Sequence, residues 1–144
     1  GRRGADYLAS LDKRKAFISA QNPDNVNYRI QYGLLPEARY AESRDALARI
    51  VETSRAKDIP VLFVLIPDAS QLGEAERQHV NRFLATTLAN LSTGLVDLTA
   101  RFEAHAEPKM LFLFPDDAHT SPAGHRLIAE AILEQEAIAT LAAN

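Results

Sequence analysis

Between Pro115 and His125 the chain concentrates carboxylates, imidazoles and hydroxyls: Asp116, Asp117, His119, Thr120, Ser121 and His125. Asp116 stands three residues before His119. A carboxylate beside an imidazole fixes its tautomer and stabilises the imidazolium, which suits a histidine that takes a proton from a hydroxyl nucleophile. The same spacing also serves structure, with an aspartate capping a turn and the histidine packing at a helix entrance. For an isolated Asp-x-x-His the structural role is the commoner one, so the surroundings of the pair must decide.

The other polar side chains narrow the choice little. His79 reads as a surface residue in a polar helical stretch, and His105, between Glu103 and Glu107, as a solvated helix end. Four histidines at scattered spacing and no cysteine give no recognisable metal-ligand pattern, so no metal and no cofactor is expected. Ser10, Ser19, Ser43, Ser54, Ser70 and Ser92 each lack the strand–turn–helix setting of a nucleophile elbow. Ser121, followed by Pro122, has the residue types of a helix N-cap and first position.

Elements must hold these groups. Ala5 to Ala20 shows helical spacing, although Ala16–Ala20 would also serve as a short strand. Residues 21–25 read as a turn and 22–33 as an irregular connection. Pro36-Glu37 opens a helix to about Lys57, with Tyr40, Leu47, Ile50, Val51 and Ser54 on one face. Val61–Ile66 is a continuous apolar run ended by Pro67, the pattern of a central parallel strand buried on both faces. A helix follows from about Ser70, carried by Val80, Phe83, Leu84, Thr87, Leu88 and Leu91, then a strand over Gly94–Leu98. The connection between the two strands is long enough for a helical crossover. Leu111–Phe114 reads as a third, short strand. A final helix after Ser121 buries Leu127, Ile128, Ala131, Ile132, Ile138 and Leu141. The alternation predicts one α/β domain over residues 1–144, a three-layer parallel sheet with flanking helices. Only two good strands and one short one are found where sheets usually have more, so the sheet looks incomplete on its N-terminal side.

Bulk properties exclude some functions. With 144 residues, 47% hydrophobic and 24% charged, the chain can bury a real core. A net charge of −3 and scattered basic residues argue against a nucleic-acid partner. No apolar run approaches the length of a membrane span, and Gly1-Arg2-Arg3-Gly4 opens no signal peptide. The absence of cysteine fits either redox compartment, so localisation stays open between bacterial periplasm and cytoplasm.

The string from Phe114 to Glu130, Asp116-x-x-His119 followed by Pro122, Gly124 and an apolar, Ala-containing helix, resembles the C-terminal block of SGNH (GDSL-type) hydrolases. The pattern of residues 36–135 is similar to the second half of that family. The resemblance implies a flavodoxin-like sheet, His119 as general base and Asp116 as its orienting acid, with Asp117 as the competing carboxylate. It also implies an ester substrate, either a small acetyl or lipid ester or an acylated carbohydrate. Ser121 stands where Asn is frequent, and Gly124 would permit tight packing at the helix start. His125 would be a partly exposed helix residue.

The nucleophile end departs from the family. No Gly-Asp-Ser occurs in the 144 residues, and Gln21-Asn22-Pro23-Asp24-Asn25 is a poor match to Gly-x-Asn-Asp. Two explanations are open. The serine and the remaining strands come from a preceding segment or a partner chain, or the chain is a degenerate copy that lost its chemistry. The intact acid–base pair and the short strand count favour the first. The expected function is thus a serine esterase, with an O-acyltransferase on a carbohydrate acceptor or an inactive binding module as alternatives.

Overall fold

The computed structural model describes residues 26–113 and 119–135. The predicted helix over Ala5–Ala20, Asn22, Phe114, Asp116, Asp117, Ile138 and Leu141 lie outside the described residues. Among those described, the fold is mixed α/β: helices surround a pair of parallel strands.

The first helix, α1 (Val26–Gln31), replaces the irregular connection expected there. Tyr28 and Tyr32, four apart, stack with ring centroids 4.5 Å apart across its C-terminal turn. Gln31 is buried and donates from Nε2 to Ser70 Oγ at 3.0 Å, a tertiary anchor that local spacing does not reveal.

Helix α2 (Glu37–Arg55) starts after Pro36, with Glu37 in its first turn and Arg55 in its last, the charge order its dipole favours. It ends where Asp58 adopts a left-handed conformation (φ 53°), and the Ile59 N–H returns to the Ser54 carbonyl. Tyr40 and Val51 are buried, but Ile50, expected on the same face, is 48% exposed. Tyr40 packs on Phe83 (centroids 5.0 Å apart), and Arg55 Nη2 donates to the carbonyls of Leu91 and Ser92 at 2.5 and 3.0 Å.

Strands β1 (Leu62–Leu65) and β2 (Gly94–Asp97) pair in parallel, with Val64 opposite Val96. The predicted runs were each a little longer. Burial on both faces does not hold for β1: Leu62, Phe63 and Val64 are half-buried, and Ile66 beyond its end is 47% exposed. With one pairing partner among the described residues, β1 is an edge strand there.

The single helix expected from Ser70 is divided. A 3-10 turn (Ala69–Gln71) opens on a capping box at Asp68 and Gln71, and Gly73 then takes φ +75°, which stops helical continuation. A second 3-10 turn (Ala75–Arg77) precedes α3 (His79–Asn90). His79 is not a surface residue: it is half-buried against Tyr40 (centroids 5.6 Å), and a Cβ on Gly33 would lie 2.5 Å from its Nδ1.

After β2 comes α4 (Thr99–Glu103), a 3-10 turn (Pro108–Leu111) and α5 (Pro122–Leu133). The third strand expected over Leu111–Phe114 does not join the sheet. Pro108 starts the 3-10 turn, and Phe112 makes a single antiparallel bridge to Thr120. The flanking Leu111 carbonyl and Leu113 N–H bond to the returning chain at Ser121 and His119. The core joins Leu98, Phe102, Leu111, Phe112, Ile128 and Ala131, with Val64, Val96, Ala69 and Leu72 packed against it. Phe102 is fully buried, its ring centroid 5.5 Å from that of Phe112.

Candidate functional site

The start of α5 is where the sequence places the chemistry, and backbone groups build most of it. Ser121 is buried and extended, its N–H donating to the Leu111 carbonyl at 2.8 Å. Its hydroxyl accepts from the Gly124 N–H at 3.2 Å and donates to the Met110 carbonyl at 2.6 Å. Pro122 follows as the first helical residue. Both capacities of the Ser121 hydroxyl are thus committed to capping and tethering, as its place before Pro122 suggests.

Gly124 gives the His-x-x-x-x-Gly spacing a physical reason. A Cβ there would lie 2.2 Å from the Leu111 carbonyl oxygen, a backbone atom that cannot rotate away. Only glycine lets the first turn of α5 lie against the 3-10 turn.

One residue before the bridge, the Leu113 N–H donates to the His119 carbonyl at 2.8 Å. Residues 111–113 and 119–121 therefore run side by side in opposite directions, with His119 held at the end of that contact. His119 is exposed, its carbonyl held by the Leu113 N–H. His125 Nε2 and Thr120 Oγ1 lie 3.0 Å apart in a hydrogen bond whose direction follows the imidazole tautomer. That bond occupies His125 on the outer face of α5, in line with an exposed helix position.

A second polar cluster, absent from the sequence reading, follows the carboxyl ends of both strands. In open α/β sheets this edge is where ligands bind. The Gln71 side chain accepts from the Asp68 N–H at 2.8 Å and donates to the Arg77 carbonyl and Asn81 Oδ1, each at 3.0 Å. Asn81 Nδ2 donates to Thr99 Oγ1 at 2.8 Å, and the Thr99 N–H donates to Asp97 Oδ1 at 2.9 Å. Gln71 and Asn81 are each 4% exposed with these partners satisfied, so the cluster ties the turn after β1 to the turn after β2. Asp68 and Gln71, three apart, form a capping box open to sequence reading; Asn81 and Thr99 carry no local signal.

Ser70 differs from expectation in one respect. It does follow a strand and a turn, but it lies inside a three-residue 3-10 turn, not at the start of a long helix. Its hydroxyl donates to Asp68 Oδ1 at 2.6 Å and accepts from Gln31 Nε2. Ser43 donates to the Arg39 carbonyl within α2, and Ser92 sits in a left-handed turn (φ 50°).

Arg101 of α4 holds Glu134, just past α5, in a two-pronged pair at 2.5 and 2.7 Å. That hydrogen bond lowers the Glu134 pKa from its ordinary value and raises that of Arg101. It also places a cation near the C-terminal end of α5, where the dipole is negative. Among the described residues no group of His, Asp and Glu is arranged to hold a metal ion. None of the described helices is long and apolar enough to cross a membrane.

Searches of family models, curated proteins and solved structures find no match to this chain.

Proposed function

We propose that this chain carries the acid–base half of an SGNH-type esterase site, in a three-layer α/β domain completed by further strands. The carrying observation is the framework around His119. The antiparallel contact of 111–113 with 119–121, closed by Ser121 and Gly124, fixes the chain at His119, three residues after Asp116 in sequence. It gives structural reasons for Ser121 and Gly124; the proposed general-base role of His119 comes from the resemblance of the string to the SGNH block.

In this reading the imidazole of His119 takes the proton of a serine hydroxyl supplied from outside these 144 residues. The serine oxygen attacks the ester carbonyl, His119 returns the proton to the departing alcohol, and an acyl-enzyme forms. Water, activated by the same imidazole, releases the acid; a carbohydrate hydroxyl in place of water makes the enzyme an O-acyltransferase. Asp116 orients the ring and stabilises the imidazolium.

A second reading, an inactive binding module of the same fold, draws on the absence of Gly-Asp-Ser from the sequence. Turnover of a short-chain aryl ester by the protein expressed from its full reading frame separates the two. His119→Ala, with circular dichroism unchanged, is expected to lower kcat by about 100-fold or more. Equal activity in the variant contradicts the catalytic reading, and no activity in either protein supports the binding module.

A further inference from the structure

We propose that Leu113 is the rest for the alcohol side of the ester at His119, so that the site takes esters of apolar alcohols over acylated carbohydrates. This inference deepens the esterase reading and rests on it. The Leu113 N–H donates to the His119 carbonyl at 2.8 Å, next to the bridge between Phe112 and Thr120. Residues 113 and 119 are therefore opposed across two antiparallel segments. Opposed residues carry their side chains on the same face of such a contact, with Cβ atoms about 5 Å apart. Both are exposed, Leu113 at 46%, whereas Leu111 and Phe112 just before it turn into the core. An apolar side chain thus stands in solvent beside the imidazole.

The chemistry decides which part of a substrate meets that side chain. When the acyl-enzyme forms, the bond between the carbonyl carbon and the alcohol oxygen breaks, and the proton held by His119 passes to that oxygen. The departing alcohol therefore lies against the imidazole, as does any acceptor hydroxyl that enters later by the reverse path. An alkyl or aryl alcohol placed there covers Leu113 and is stabilised by the apolar area removed from water. A sugar would bring hydroxyls that need hydrogen-bond partners. Among the described residues of this contact the polar side chains are already engaged. Thr120 Oγ1 is bonded to His125 Nε2, and Ser121 Oγ to the Met110 carbonyl and the Gly124 N–H. Leu113 thus selects for an apolar alcohol and against a carbohydrate.

The test uses the protein from its full reading frame with methyl acetate, hexyl acetate and a monoacetylated glucose, each followed by release of acetate. A higher kcat/KM is expected for hexyl acetate than for the other two. Leu113→Gln keeps the backbone bond and is expected to lower kcat/KM for hexyl acetate about 10-fold, while methyl acetate changes by less than about twofold. Leu113→Met is expected to retain the preference. The general base is removed separately. Activity unchanged in His119→Ala, or no turnover of any ester by the unsubstituted protein, overturns the esterase reading and this inference with it. Where His119→Ala abolishes turnover, a hexyl preference that survives Leu113→Gln, or a sugar ester preferred to hexyl acetate, overturns this inference alone.

Discussion

Two regions of this molecule hold polar chain in place near one core, by opposite means. At the start of α5 most of the work is done by backbone: Leu111, Leu113, His119 and Ser121 exchange main-chain hydrogen bonds, Gly124 contributes by lacking a side chain, and the Ser121 hydroxyl is the side-chain tether. Past the ends of β1 and β2 it is done by side chains, with Gln71, Asn81 and Thr99 in a buried relay. The regions meet in the core, where Ala69 and Leu72 pack against the cluster containing Leu111 and Phe112. A backbone frame tolerates most substitutions and fails at a few positions. A side-chain relay is weakened by every substitution, because each leaves a buried group without a partner.

The comparison is broken most sharply at Gly124. Gly124→Ala gains helix propensity but drives a methyl into the Leu111 carbonyl. A net loss of about 2–3 kcal/mol is expected in urea unfolding, although an exposed glycine-to-alanine change in a helix would stabilise. Next comes Asn81→Ala, which leaves one of the two Gln71 Nε2 hydrogens and Thr99 Oγ1 without their partner; a loss of about 1–3 kcal/mol is expected by the same measurement. If Asn81→Ala proves neutral, the relay is replaceable and the contrast between the regions fails.

The smallest effect is expected at the Arg101–Glu134 pair, which is exposed. Glu134 has a lowered pKa in the folded chain, so its contribution is present above the unfolded carboxylate value and is lost as pH falls through the folded value. Glu134→Gln should therefore lower the Tm slightly at pH 7, by an amount that shrinks as pH falls below the ordinary carboxylate range and in high salt. A gap that stays constant as pH falls would assign the effect to something other than the ion pair.

What sequence reading reached follows the same division. The Ser121-Pro122 start of α5 rests on local residue types and the parallel pairing of the two apolar runs on the length of the connection between them, while tight packing at Gly124 was implied by the family resemblance. Leu111–Phe114 misled because an apolar run has the same composition whether it enters a sheet or folds back on its own loop. His79 misled because its burial comes from Tyr40 and Gly33, both more than thirty residues away in sequence. The Asn81–Thr99 link is likewise long-range and without periodicity. Of the predicted pair, His119 is placed and Asp116 lies outside the described residues.

The central claim is that a histidine in this chain activates a serine that lies elsewhere. Labelling with a fluorophosphonate, followed by peptide mapping, tests it on the protein from its full reading frame. The account predicts one labelled serine outside these 144 residues and labelling slowed strongly by His119→Ala. A labelled serine within the 144 residues, or labelling unaffected by His119→Ala, would contradict it.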